Sequence, residues 1–140
     1  MAGSSLPIDA VQACYATWRE SRGRDCEGFL GLMADEIEMR SVLDPALPDD
    51  LAANRKSLDE ARQYFDVLSR DWEMIDYSQH RLVADGDTIV FIGRCHWRHR
   101  RTGQEIDSPK IDVWTFRDGK AVSFFEMFDS LGYARVAGIA

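Results

Sequence analysis

Residues 109–129, PKIDVWTFRDGKAVSFFEMFD, decide how the chain folds. They read as two strands joined at Asp118-Gly119, a dipeptide that favours a tight hairpin turn. Side chains alternate along a strand, so Lys110, Asp112, Trp114 and Phe116 share one face, and Ile111, Val113 and Thr115 the other. Two opposite charges therefore interrupt a strand that is otherwise built for an interior. Either the charged face meets water, or a lysine and an aspartate point into the protein, where charges persist only with partners.

The second strand puts Val122, Phe124, Glu126 and Phe128 on one face, against Ser123, Phe125, Met127 and Asp129. A two-residue turn pairs Arg117 with Lys120, and an unbroken ladder then sets Trp114 opposite Ser123 and Asp112 opposite Phe125. Cross-strand partners share a face, so turn and alternation disagree. A three- or five-residue turn, or a single bulge, removes the conflict by bringing Asp112 beside Glu126. Large apolar residues occupy both faces. Ile111, Val113, Phe125 and Met127 would make a sizeable exposed patch, and the expected cover is a second copy of the chain in a homodimer.

Upstream, the period changes. Ile8, Val11, Tyr15 and Trp18, with Cys14 beside them, recur at helical steps and predict a first helix. A short second helix is expected after SRGRD, with Asp25 as its N-cap and Phe29, Leu30, Leu32 and Met33 turned inward. Residues 35–42 alternate as a short strand, with Ile37, Met39 and Ser41 against Glu36, Glu38 and Arg40. The aperiodic stretch 43–56 reads as a long loop of the kind that serves as a lid or binding loop. Ser57 and Glu60 form a capping-box pattern for a third helix with Ala61, Tyr64, Phe65 and Leu68 inside. Strands are expected near 73–84, 87–100, 105–117 and 120–129, followed by a short tail at 130–137. Helices first and strands later predict one α+β domain, with a curved antiparallel sheet packed on three N-terminal helices.

Composition narrows the function classes. The chain has 140 residues, enough for one domain, and 45% hydrophobic with 29% charged residues places it among soluble globular chains. A formal net charge of −7 argues against nucleic acid as the main partner. No apolar run is long enough to span a membrane. The opening MAGSSLPIDA has neither a basic leader nor an apolar signal core, and a cytoplasmic location is expected. Cys14, Cys26 and Cys95 form no C-x-x-C pair, which gives no support to a metal site or a disulfide framework. The basic run RCHWRHRR (94–101) splits Arg94, His96 and Arg98 from Cys95, Trp97 and His99, so its histidines diverge and form no ligand pair. It reads as a solvated approach to a hairpin tip.

The order of elements, the stretch GFLGLMADEIEMRSV (28–42) and above all IDVWTFRDGKAVSFFEMFD (111–129) resemble the nuclear-transport-factor-2-like superfamily, and within it the SnoaL-like and ketosteroid-isomerase-like proteins. The resemblance runs from about Ile8 to Tyr133. It implies a cone-shaped sheet enclosing a pocket, and dimerisation through the outer sheet face. It matches Tyr15 to the isomerase tyrosine that donates into the oxyanion hole, and Asp112 to its aspartic acid partner, a carboxylic acid kept neutral by an apolar site. The isomerase's general-base aspartate falls near Ser41, and serine cannot shuttle a proton in that way. Glu126 matches the acid/base aspartate of SnoaL-like polyketide cyclases. The arginine and aspartate of the superfamily's epoxide hydrolases fall at Gly93 and Cys95, so that triad is absent.

If Asp112 and Glu126 share an apolar pocket, one can act as acid and the other as base, with no cofactor or metal. Lys110, on the same face, could instead neutralise Asp112. Tyr15 could donate to a developing enolate, and Trp18, Trp97, Trp114 and Phe124 are expected as walls around a small apolar substrate. Two functions follow as expectations. One is a cofactor-independent isomerase, cyclase, dehydratase or hydrolase acting on a carbonyl compound. The other is a non-catalytic ligand-binding or dimerisation module. The first requires Tyr15, Asp112 and Glu126 to converge on one enclosed cavity.

Overall fold

The structure is a computed structural model that describes residues 7–44, 47 and 49–139. Its elements run α1 (Ile8–Glu20), α2 (Glu27–Leu32), β1 (Met33–Ser41), α3 (Leu58–Asp71), β2 (Trp72–Asp85), β3 (Thr88–His99), β4 (Glu105–Arg117), β5 (Lys120–Met127) and α4 (Ser130–Ala137), with a 3-10 turn at Asp50–Ala52. The five strands form one sheet in the order β1-β5-β4-β3-β2. Among the described residues no helix is long and apolar enough to cross a membrane.

The sheet is mixed, which corrects the expectation of an all-antiparallel one. β2 to β5 are antiparallel, but β1 pairs in parallel with β5. Hairpin turns announce strands that follow one another in the chain. β1 has no such turn to a neighbour and closes the open edge of β5 from a distance.

The hairpin conflict is resolved by a tight turn and a bulge together. Asp118 (φ 52°) and Gly119 (φ 80°) both take left-handed backbone, as a two-residue primed turn requires, and Arg117 pairs with Lys120. Val122 is then extra: Phe116 pairs with Ala121, but Thr115 pairs with Ser123. Beyond that bulge the parity is reversed, and Trp114 faces Phe124 while Asp112 faces Glu126. Ala121, rather than Val122, joins Phe124 and Glu126 on the buried side.

The inner face carries the core. Tyr15 and Trp18 of α1, Phe29 of α2 and Phe65 of α3 interlock as edge-to-face and stacked rings against it. The turn after α1 takes left-handed backbone at Arg22 and Gly23. α2 starts two residues after Asp25, whose side chain accepts from Glu27 N (3.1 Å), while Cys26 holds the capping position with no side-chain bond. Ser57 caps α3 as expected, accepting from Glu60 N, but the Glu60 carboxylate reaches back to Lys56 N instead of the cap residue. The tail at 130–137 is a fourth helix, capped by Asp129 and stopped at Gly138 (φ 78°), with Tyr133 and Val136 buried. The loop reading of 43–56 falls partly on positions 45, 46 and 48, outside the described residues; Leu43 and Leu51 are buried.

The outer face shows two cross-strand rows in mid-sheet, Val90–Val113–Phe125 and Ile92–Ile111–Met127. They are half-buried except Met127, which is exposed. The basic run flanks them with ion pairs of Arg94 with Asp107 (3.2 Å) and of Arg98 with Glu73 (3.0 Å) and Glu105 (3.2 Å), and with a hydrogen bond between His96 and Glu105 (2.6 Å).

Gly93 lies where β3 passes under a bulged part of β2. A Cβ there would overlap the Ser78 carbonyl oxygen and come within 2.6 Å of the Phe91 ring. Gly93→Ala is expected to lower the urea midpoint by the equivalent of about 1–3 kcal/mol, an overpacking cost. Gly31→Ala, at a helical position with open space around it, is expected to raise the midpoint slightly. Equal midpoints for the two variants would contradict the packing described.

Candidate active site

The pairing lays the polar residues across the inner face in one row. Ser41 pairs with Glu126, Glu126 with Asp112, and Asp112 with Phe91. Lys110 sits one step along β4 from this row, opposite Gly93. The charged face of PKIDVWTF therefore points inward: Lys110, Asp112 and Glu126 are 7%, 1% and 3% exposed.

Each charge there has a partner. Lys110 Nζ contacts Asp112 Oδ1 and lies 3.2 Å from Glu126 Oε1, so a single ammonium serves both carboxylates. Tyr15 of α1 donates to Asp112 Oδ2 at 2.6 Å and accepts from Trp114 Nε1 at 2.9 Å. Tyr64 of α3 donates to Glu126 Oε1 at 2.8 Å. Glu126 Oε2 has no hydrogen-bond partner among the described residues. Lys110 also lies over the rings of Phe124 and Phe128, 5.8 and 6.0 Å from their centroids.

These surroundings bias the protons. Burial by itself pulls the Lys110 ammonium down, but Asp112 and Glu126 outweigh it and hold the group charged, above the ordinary lysine range. Burial pushes the Tyr15 phenol well above its usual value, and the Asp112 charge adds to the rise. Tyr64 rises for the same reason, with Glu126 adding and Lys110 opposing. Burial pushes the Cys95 thiol up to about 12, which leaves it protonated and inert. The polar cluster thus holds one fixed cation, two carboxyl groups and phenols that keep their protons.

The cluster opens on a central cavity of about 80 Å³. Tyr15, Lys110, Asp112 and Glu126 line it, and so do Trp18, Trp97, Trp114 and Phe124. An engineered apolar cavity that takes up benzene measures about 150 Å³. A ring-sized guest therefore requires the lining side chains to shift. Ser41 is buried beside Glu126, with its hydroxyl accepting from Leu43 N (3.2 Å).

Tyr64, Tyr77, Tyr133 and Cys95 also line the cavity, and sequence patterns do not single them out as site residues. Tyr64 sits on the apolar stripe of α3, and helical period alone cannot separate a core tyrosine from one whose hydroxyl meets a carboxylate. Tyr133 belongs to α4, a segment that reads as a tail in the sequence, and its hydroxyl contacts Asp49.

Residues 11–124 match the SnoaL-like domain family. Among solved structures, the chain resembles an NTF2-like protein from Burkholderia thailandensis E264 at 26% identity and a TM-score of 0.78, covering 95% of this chain and 98% of that one. It resembles TerC co-crystallised with polyporic acid at 23% identity and a TM-score of 0.79, covering 96% and 99%. It also resembles a protein of ketosteroid isomerase-like fold from Catenulispora acidiphila DSM 44928 in complex with trimethylamine, at 10% identity and a TM-score of 0.73, covering 97% and 96%. The chain's sequence matches no curated protein.

All four tyrosines of the chain, Tyr15, Tyr64, Tyr77 and Tyr133, have phenols raised chiefly by burial. A group raised in the folded state contributes stability that is complete below its unfolded value, about 10 for tyrosine, and is lost as pH climbs toward the folded value. Stability is therefore expected to fall above about pH 10. Tyrosinate absorbance at 295 nm should appear in one step coincident with the loss of far-ultraviolet dichroism. Tyrosinate forming gradually in a still-folded chain would contradict this.

Proposed function

The chain belongs to the SnoaL-like domain family, and on that premise we propose that it is a cofactor-independent acid/base enzyme acting on a small apolar carbonyl compound. The reaction class is isomerase, cyclase, dehydratase or hydrolase. One observation carries the reading: Tyr15 and Lys110 hydrogen-bond Asp112 and Lys110 pairs with Glu126, so that residues from three separate elements form a single buried polar cluster on the cavity wall. Buried charge held in an apolar cavity is costly, and such sites are where acid/base chemistry is found.

The roles follow from which atoms are free. Glu126 Oε2 is the general base that takes a proton next to the substrate carbonyl. Lys110 Nζ has three N–H donors, gives one to Asp112 and lies in ion-pair contact with Glu126, so an uncommitted N–H serves the oxygen that gains charge as the enolate forms. Asp112, accepting from both Tyr15 and Lys110, holds that ammonium in place and is the second acid/base group of the pair. Tyr15 commits its hydroxyl proton to Asp112, and so supports the site through Asp112 in the resting state. This differs from the direct oxyanion role that the resemblance implies for it. Glu126 returns the proton to the product carbon in an isomerisation, to the new alkoxide oxygen in a ring closure, or to the hydroxyl that leaves as water in a dehydration; in a hydrolysis it takes the proton from an attacking water and gives it to the leaving group.

A binding module without chemistry is favoured by one feature: Lys110 already satisfies both carboxylates within the protein. A panel of aromatic polyketide-like and steroid-like ketones, with polyporic acid, which co-crystallises with TerC, separates the two. In deuterated water the enzyme reading expects exchange of a proton next to the carbonyl. Glu126→Gln should lose about 10²–10⁴-fold in kcat while still binding, and Asp112→Asn should also fall. Binding by the unaltered protein with no exchange across the panel would leave the binding module.

We further propose that a second copy covers the two apolar rows Val90–Val113–Phe125 and Ile92–Ile111–Met127. Light scattering should give a dimer that Val113→Glu converts to a folded monomer. A monomer for the unaltered chain would remove this proposal.

A further inference from the structure

All four tyrosines line the central cavity, and three of them spend their hydroxyls on carboxylates: Tyr15 on Asp112, Tyr64 on Glu126 and Tyr133 on Asp49. Tyr77 is the exception. Its hydroxyl forms no hydrogen bond of ordinary length and angle with any described residue, although the Asp112 charge acts on it. Among the described residues Arg55 Nε is the one side-chain nitrogen or oxygen that is both fully enclosed and without a partner. The unpartnered Tyr77 oxygen is therefore not enclosed. The residue is only 5% exposed, so the space beside that oxygen is the cavity the residue lines. Folded proteins rarely leave a buried hydroxyl idle, and one facing a pocket is a donor kept for a guest.

The backbone and the neighbouring rings fix where that hydroxyl sits. A bulge in β2 between Met74 and Asp76 reverses the side-chain alternation, so that Met74 and Tyr77, three residues apart, both turn inward. Tyr77 then pairs with Cys95, which pairs in turn with Ser108, in a buried row beside the charged one. Its ring lies 5.7 Å from Phe91 and 6.2 Å from Tyr15, with Trp18 edge-on at 6.5 Å. Packing on these sides leaves the oxygen in place while its hydrogen turns. Burial raises the phenol well above its usual value, and Asp112, Cys95 and Glu126 add to the rise, so the hydroxyl keeps its proton. Asp112 already accepts from Lys110 at Oδ1 and from Tyr15 at Oδ2. The resemblance gives the oxyanion donor role to Tyr15, but the phenol with a proton to spare is on β2.

We propose that Tyr77 is a substrate-binding residue whose O–H donates to the carbonyl oxygen of the guest. It makes the cavity select a hydrogen-bond acceptor over a hydrocarbon of the same shape, a distinction that apolar walls alone do not draw. A carbonyl oxygen has two lone pairs, so this bond leaves one for the Lys110 N–H. No proton is transferred, and Tyr77 keeps its hydrogen throughout. When that carbonyl is the reacting one, the bond strengthens as the oxygen gains charge, and the fixed ring spares the site any reorganisation. This strengthening rests on Glu126 being the base proposed above, whereas the bond to the bound guest does not.

Acetophenone and its hydrocarbon isostere α-methylstyrene test the bond. Tyr77→Phe should weaken acetophenone binding about tenfold, the worth of one hydrogen bond, and leave α-methylstyrene binding unchanged. The infrared carbonyl band of bound, carbonyl-labelled acetophenone should move to higher wavenumber in the variant. Equal losses for the two ligands, an unmoved band, or no binding of acetophenone at millimolar concentration overturns the proposal. The free hydroxyl is tested without a ligand. Tyr77→Phe should keep the urea midpoint of the unaltered chain, whereas Tyr15→Phe, which loses a bond to Asp112, should lower it. A midpoint lowered as far by Tyr77→Phe would show the hydroxyl spent within the protein and overturn the proposal. Exchange of the acetophenone methyl protons in deuterated water separates this result from the base reading. A Tyr77-dependent band without exchange supports the bond and removes the base role of Glu126, and exchange with an unmoved band does the reverse.

Discussion

Lys110 reaches from the middle of β4 into the space between Asp112 and Glu126, and the rest of the site depends on that placement. Two carboxyl groups on neighbouring strands, both almost fully buried, would repel one another and lose their hydration. One ammonium between them, helped by the Tyr15 and Tyr64 hydroxyls, makes the cluster tolerable. The arrangement is still unfavourable beside the apolar alternative, since buried ion pairs commonly do no better than well-packed apolar side chains of the same volume. An interior strand that retains Lys110 and Asp112 between Ile111, Val113 and Trp114 is best understood by what the charges do. They leave a cavity otherwise walled by aromatic and aliphatic side chains with a cation and two carboxyl groups on one wall.

A backbone irregularity puts Glu126 in reach. Without the extra residue at Val122, Asp112 would face Phe125, and Glu126 would point away from the cavity. The bulge also frees the turn to keep its two-residue form, so the hairpin satisfies turn geometry and face pattern together. β1 completes the row from the other side, bringing Ser41 next to Glu126 through a parallel pairing. The carboxylate that the resemblance places near Ser41 in the isomerase is missing here, and the residue paired with Ser41 on the neighbouring strand is Glu126.

Much of this is legible in the sequence because it is local. The alternation of PKIDVWTF tells which side chains share a face, the Asp-Gly pair tells where the hairpin turns, and Ser57 with Glu60 tells where α3 begins. The need for a bulge is visible as a contradiction between two local rules, although its position is not. What stays hidden is non-local. No turn links β1 to β5, so their parallel pairing leaves no mark in either segment. Tyr64 and Phe65 look alike on an apolar stripe until the sheet brings Glu126 beneath one of them. α4 is short, with Gly132 inside it, and is held by its Asp129 cap and by the burial of Tyr133 against Trp72, neither of which a local pattern reveals.

The claim that Lys110 is what permits two buried carboxyl groups can be measured without knowing the substrate. Unfolding free energy should drop by about 3–5 kcal/mol in Lys110→Met at neutral pH, the cost of breaking a buried pair from one side. It should recover most of that in the triple variant Lys110→Met, Asp112→Asn, Glu126→Gln, where no unpaired charge remains. A Lys110→Met protein as stable as the unaltered chain would contradict the account, because the two carboxyl groups would then be held by something other than the lysine between them.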